Sequence, residues 1–126
     1  MISNFKINVN EQKNILYIYL DGYFRSEEIK KVVEQINIDL IKLKPGFDII
    51  NDIRKFKPGK PEDALNIKKV QEFLKSKGAN RVVRIVEKNT GLNVGALQFK
   101  RLSAELGYDA VEVESLEEAE EYLLNK

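Results

Sequence analysis

The chain has 126 residues, 43% of them hydrophobic and 33% charged, and its 21 basic side chains against 20 acidic ones leave a net charge of +1. That length suits a single domain spanning residues 1–126 with its own core, since domains commonly run to ~100–200 residues. Cys and His are both absent, which excludes disulfides, thiolate and imidazole metal ligands, cysteine nucleophiles and histidine general bases, and with them serine triads and zinc hydrolase sites.

Phe5, Ile7 and Val9 alternate with polar residues, the period of a half-exposed strand. After a polar turn over Asn10–Asn14, Ile15–Leu20 is apolar on both faces, as in a strand covered on both sides. The short link predicts an antiparallel hairpin, and Asp21-Gly22 ends its second strand. Ser26 offers a helix N-cap with Glu27 and Glu28 in the first turn. Ile29, Val32, Val33, Ile36, Leu40 and Leu43 then follow at helical spacing until Pro45-Gly46. Phe47–Ile53 is the next strand, and Arg54–Lys60 is a loop with four basic residues. Pro61 opens a second helix with Ile67, Val70, Phe73 and Leu74 inward, and Gly78 provides a left-handed C-terminal cap.

Arg81–Glu87 reads as a strand, 88–95 as a glycine-containing loop, and Val94 to Leu106 as a helix ended by Gly107. Ala110–Val113 is the last strand, placed at an edge. Ser115-Leu116-Glu117-Glu118 is a capping box opening a final helix with Leu116, Ala119, Tyr122 and Leu123 inward. The order β-β-α-β-α-β-α-β-α predicts an α/β domain: a mixed, mostly parallel sheet of about five strands with four helices.

The near-neutral total conceals segregation: residues 54–101 carry 13 basic and 4 acidic side chains, whereas 109–126 carry 1 and 7. Such separation marks either a basic binding face or two regions that offset one another in the fold. The N-terminus shows no signal pattern, and the Ile15–Leu20 run falls far short of the ~20 apolar residues a spanning helix needs. A cytoplasmic protein without membrane insertion is expected.

Four features carry a family resemblance over essentially the whole chain. They are Leu20-Asp21-Gly22 closing the second strand, Phe47-Asp48-Ile49-Ile50-Asn51-Asp52-Ile53-Arg54, Arg81–Val86, and the terminal Ser115–Ala119 with Tyr122-Leu123. With the element order, they resemble a STAS-type domain, the fold of bacterial anti-sigma-factor antagonists and sulfate-transporter tails, and in particular its SpoIIAA-like branch. The resemblance implies a regulatory, protein-binding role without catalysis or cofactor. In the antagonists a Ser or Thr in the loop entering the second helix is phosphorylated. The matching window Ile53–Asn66 contains neither residue, so that switch does not carry over.

Two constellations remain as sites. Arg54, Lys55, Phe56, Lys57 and Lys60 form a candidate partner-binding surface, with Phe56 either an exposed stacking aromatic or packed onto the core. The overall charge of +1 argues against nucleic acid as the partner. Tyr17, Tyr19, Asp21, Asp52 and Phe56 are candidates for a ligand pocket, the basis of an alternative reading as a small-molecule or lipid carrier. Tyr23 could join them. A third reading makes Asp21 and Asp52 a metal-assisted catalytic pair; against it, Asp52 with Arg54 forms a local ion pair, and no residue is assigned as catalytic or metal-ligating. Asn89–Gly95 could cradle an anion before a helix or be an ordinary loop. The last strand could pair between two chains in a homodimer.

Overall fold

β-branched and aromatic residues fill the strand segments, and their alternation decides which face each side chain takes. A computed structural model describes residues 4–57, 61–87 and 110–124. Its order is β1 (Asn4–Asn10), β2 (Ile15–Gly22), α1 (Ser26–Asp39) with a 3₁₀ turn over Leu40–Lys42, β3 (Asp48–Phe56), α2 (Pro61–Ser76), β4 (Val82–Ile85), β5 (Ala110–Val113) and α3 (Leu116–Leu124). The five strands lie in the order β1-β2-β3-β4-β5, β1 antiparallel to β2 and the others parallel. The expected mixed sheet is present, with β5 at an edge. Lys60, the loop 88–95 and the helix expected from Val94 to Leu106 lie outside the described residues.

Two cores flank the sheet. On one face Leu16, Ile18, Leu20, Ile49, Ile53 and Val82 pack against Ile29, Val32 and Ile36 of α1 and Ile67 and Leu74 of α2. On the other, Ile15, Ile50, Val83 and Ile85 pack under Ala119 and Leu123 of α3. Each such Val, Leu or Ile side chain contributes ~1.5–3 kcal/mol on burial. Helix α3 lies over β3, β4 and β5 and meets β2 at Ile15 and Tyr17, so the β1 side of this second face, with Tyr19, is left open among the described residues. The expectation that β2 is fully covered on both faces is therefore corrected: Tyr17 and Tyr19 are half-buried.

Local chemistry places the joints. Asn14 takes a left-handed conformation, φ 58°, which asparagine tolerates better than most residues. Its side chain donates to Lys44 O (3.1 Å) and accepts from Lys44 N–H (2.9 Å), pinning the hairpin to the chain entering β3. Gly78, φ +97°, ends α2, with the Ala79 N–H donating to Leu74 O at 3.2 Å in a Schellman closure. Ser26 is not the cap of α1: the helix begins at Ser26, Arg25 is the cap residue, and Glu28 accepts from the Arg25 N–H at 2.7 Å. Ser115 does cap α3, its Oγ accepting from the Glu118 N–H at 3.1 Å.

Strand β3 runs three residues beyond Ile53, so Arg54, Lys55 and Phe56 belong to the sheet and not to a loop. Tyr19 pairs with Asp52 but Asp21 pairs with Lys55, so β3 carries one extra residue there. This bulge reverses the in–out alternation. It returns Phe56 to the α1–α2 face, where the ring is 6% exposed and lies 6.3 Å from the Phe24 ring, centroid to centroid.

Candidate functional site

The C-terminal ends of β2 and β3 bring most of the sequence-identified residues to one edge of the sheet. Asp52 and Arg54 project to the same face. Arg54 grips Asp52 with two side-chain bonds, Nε to Oδ1 at 3.0 Å and Nη2 to Oδ2 at 2.7 Å, and its backbone N–H adds a third to Oδ1 at 3.2 Å. These bonds hold the Arg54 guanidinium above its usual value, partly opposed by burial. Both carboxylate oxygens of Asp52 are thus occupied by a cation from its own strand. No cluster of three Asp or Glu side chains fit to hold a metal ion occurs among the described residues.

On the open side of the second face, Tyr17, Tyr19 and Asp52 line a cavity of about 220 Å³ together with Lys6, Asn8 and Leu116. Register explains the grouping: Lys6 pairs with Tyr19 and Tyr19 with Asp52, while Asn8 pairs with Tyr17 and Tyr17 with Ile50. Asp21 and Phe56 are not part of its lining. Phe56 lies on the opposite face, so the reading of it as an exposed stacking aromatic is corrected. Tyr23, 38% exposed, is also outside the cavity.

The Tyr17 hydroxyl donates to Glu120 Oε2 at 2.8 Å, joining β2 to α3 across 103 residues of sequence. Burial first, and then the Glu120 hydrogen bond and charge, push the Tyr17 phenol up to about 12. The Tyr19 hydroxyl makes a long bond to Asp21 Oδ2, 3.4 Å. Burial and the Asp21 and Asp52 charges raise its phenol above the ordinary value, opposed by Arg54. Both hydroxyls are therefore neutral donors at physiological pH, and neither is poised as a base.

Lys55 and Lys57 are exposed beside Arg54 at the same edge, where the Lys57 N–H donates to Gly22 O at 3.0 Å. The structure thus gathers Arg54, Lys55 and Lys57 at the edge, mounted over the buried Phe56.

At the other end of the sheet a second Asp–Arg clamp escaped the sequence reading. Arg81 donates from Nε to Asp48 Oδ1 at 3.1 Å and from Nη2 to Oδ2 at 2.8 Å, and also reaches Leu123 O at 3.4 Å. It ties β3 to the chain entering β4 and to the end of α3. Lys6, Asn8, Leu116 and Glu120 were likewise missed as neighbours of the tyrosines. The alternation of β1 alone could have signalled that Lys6 and Asn8 share a face.

No protein-family model matches the sequence, and no curated protein matches it. Solved structures do. An uncharacterized protein of the DUF3478 family with a SpoIIAA-like fold, from Shewanella loihica PV-4, superposes with a TM-score of 0.70 at 15% identity, over 96% of this chain and 93% of that one. The anti-sigma factor antagonist SpoIIAA in its unphosphorylated form superposes with a TM-score of 0.61 at 10% identity, over 98% of both chains. The two-faced sheet with its leading hairpin and parallel run is thus a SpoIIAA-like fold.

Proposed function

We propose that the protein is a non-enzymatic regulatory module that binds a protein partner through the C-terminal edge of β3 and the start of α2. The observation that carries this reading is the basic edge: Lys55 and Lys57 are exposed beside the Asp52-paired Arg54, with Lys60 following after Pro58-Gly59 in sequence. The partner surface is acidic by complementarity. Phe56 acts beneath this surface as an anchor and does not touch the partner. With no Ser or Thr between Ile53 and Asn66, binding is not switched by phosphorylation of that window.

The test is to isolate an acidic partner on the immobilised chain, purify it, and titrate it against variants. The triple variant Lys55→Glu, Lys57→Glu, Lys60→Glu is expected to weaken binding more than tenfold, and Lys13→Glu in the distant hairpin turn to leave it unchanged. Equal affinity for the triple variant and the parent chain refutes the reading.

A second reading, a small-molecule carrier, is favoured by the cavity at Tyr17 and Tyr19. Its volume of about 220 Å³ lies below the ~300–1,000 Å³ usual for ligand pockets, which ranks it behind the first. Native mass spectrometry of the purified protein tests it: a copurifying mass lost in a Tyr19→Ala variant supports it, and a bare chain refutes it.

A further inference from the structure

Helices α1 and α2 each connect parallel neighbours, so they run side by side in the same direction over the first face of the sheet. Between them lies a groove of about 600 Å³, within the ~300–1,000 Å³ range of small-molecule sites. Ile29 and Val33 of α1 and Phe73 of α2 supply its apolar surface, and Lys30 and Lys69 face it from opposite walls.

At its end stands Asn66, 6% exposed. The Asn66 Oδ1 accepts from the Ser26 hydroxyl at 3.3 Å, but its Nδ2 has no hydrogen-bond partner among the described residues. A buried amide donor left unmade carries its full desolvation cost, so such groups in native proteins call for an acceptor.

We propose that this groove binds a long-chain carboxylate, its head accepting from Asn66 Nδ2 and flanked by Lys30 and Lys69, its chain lying on Ile29, Val33 and Phe73. The polarity is set by charge along α1. Glu34, the acidic residue of the lining, is eight residues beyond Ser26, which at 1.5 Å per residue is about 12 Å down the helix. The anionic head therefore belongs at the Asn66 end and the chain at the Glu34 end. A short anion would leave the apolar surface wet, and a hydrocarbon without a head would leave the Asn66 amide unsatisfied. The site is separate from both the basic edge and the tyrosine cavity, and stands whether or not either of those is used.

The experiment titrates dodecanoate into the full chain, with acetate and dodecanol as comparators, followed by calorimetry and amide chemical shifts. The expected result is saturable one-to-one binding, perturbing resonances of Ser26, Asn66 and Lys69. Asn66→Leu and Lys69→Glu should each weaken binding at least tenfold, while Lys13→Glu leaves it unchanged. Asn66→Leu removes the orphaned donor at similar volume together with the Ser26 bond to Asn66 Oδ1, two effects of opposite sign, so its melting temperature is expected to stay close to that of the parent, which keeps loss of binding distinct from loss of fold. Absence of saturable binding, equal affinity in Asn66→Leu, or dodecanol binding as tightly as dodecanoate overturns the proposal.

Discussion

Replacing Phe56 with alanine separates the two roles open to this residue. Were the ring an exposed contact in a loop, its removal would cost partner affinity and almost no stability. In the structure it is 6% exposed, stacked at 6.3 Å with an interplanar angle of 21° on Phe24, itself 3% exposed. Phe→Ala at such core positions costs ~3–5 kcal/mol, combining lost transfer energy with the cavity left behind. The ring pair accounts for ~0.5–1.5 kcal/mol of that. For a domain of this size each kcal/mol lowers the melting temperature by roughly 2–8 °C, so Phe56→Ala is expected to melt at least ~6 °C lower. Thermal unfolding by circular dichroism gives the shift, and urea titration gives the free energy if the m-value is unchanged. Phe56→Leu should lose much less. A double-mutant cycle with Phe24→Leu should show positive coupling, because the two rings share one contact. A Phe56→Ala shift below about 2 °C would refute the reasoning, returning the ring to solvent and removing the bulge that turns it inward.

Asp48→Asn removes one charge from the Asp48–Arg81 clamp and is expected to destabilise the fold by ~1.5–3 kcal/mol, read from urea unfolding, because the Arg81 guanidinium is left without its counter-ion. Gly78→Ala is expected to cost ~1–2 kcal/mol, since φ is +97° and the added Cβ would lie 3.4 Å from Pro45; an unchanged melting temperature would contradict the C-cap. Ultraviolet titration should find one tyrosine ionising near pH 12, assigned to Tyr17 by its downward shift in Glu120→Gln. Because the folded-state value lies above the ordinary value of 10.0, the folded chain holds this proton longer than the unfolded one. The associated stability is complete below pH 10 and is lost as pH rises toward 12, where the Tyr17–Glu120 link between β2 and α3 breaks.

Much of the architecture was legible because it depends on local periodicity. The alternation of Phe5, Ile7 and Val9, the helical spacing of Ile29, Val32 and Ile36, and the Ser115–Glu118 capping box each encode their element within a few residues. Gly78 was readable for the same reason, because a left-handed cap is a one-residue requirement. The error at β3 has an equally definite cause. Arg54-Lys55 breaks the apolar pattern, so the sequence reads as a strand that stops at Ile53. Register with β2, a contact with residues more than thirty positions earlier, instead extends the strand and inserts the bulge.

The candidate site divides along the same line. Composition by itself removed histidine and cysteine chemistry, and the Asp52–Arg54 pair was readable from two-residue spacing. Tertiary structure alone decided that Tyr17 meets Glu120 and that Asp48 meets Arg81. It also decided that α3 covers part of one sheet face, and that the Asn66 amide is buried with a donor unspent among the described residues. Each of these joins residues distant in sequence through packing of separate elements, and periodicity reports which face a residue takes without saying what will cover it. The balanced charge and the two missing residue types thus bounded the chemistry, while the partners of each remaining polar group were set by the way the sheet and its helices close on one another.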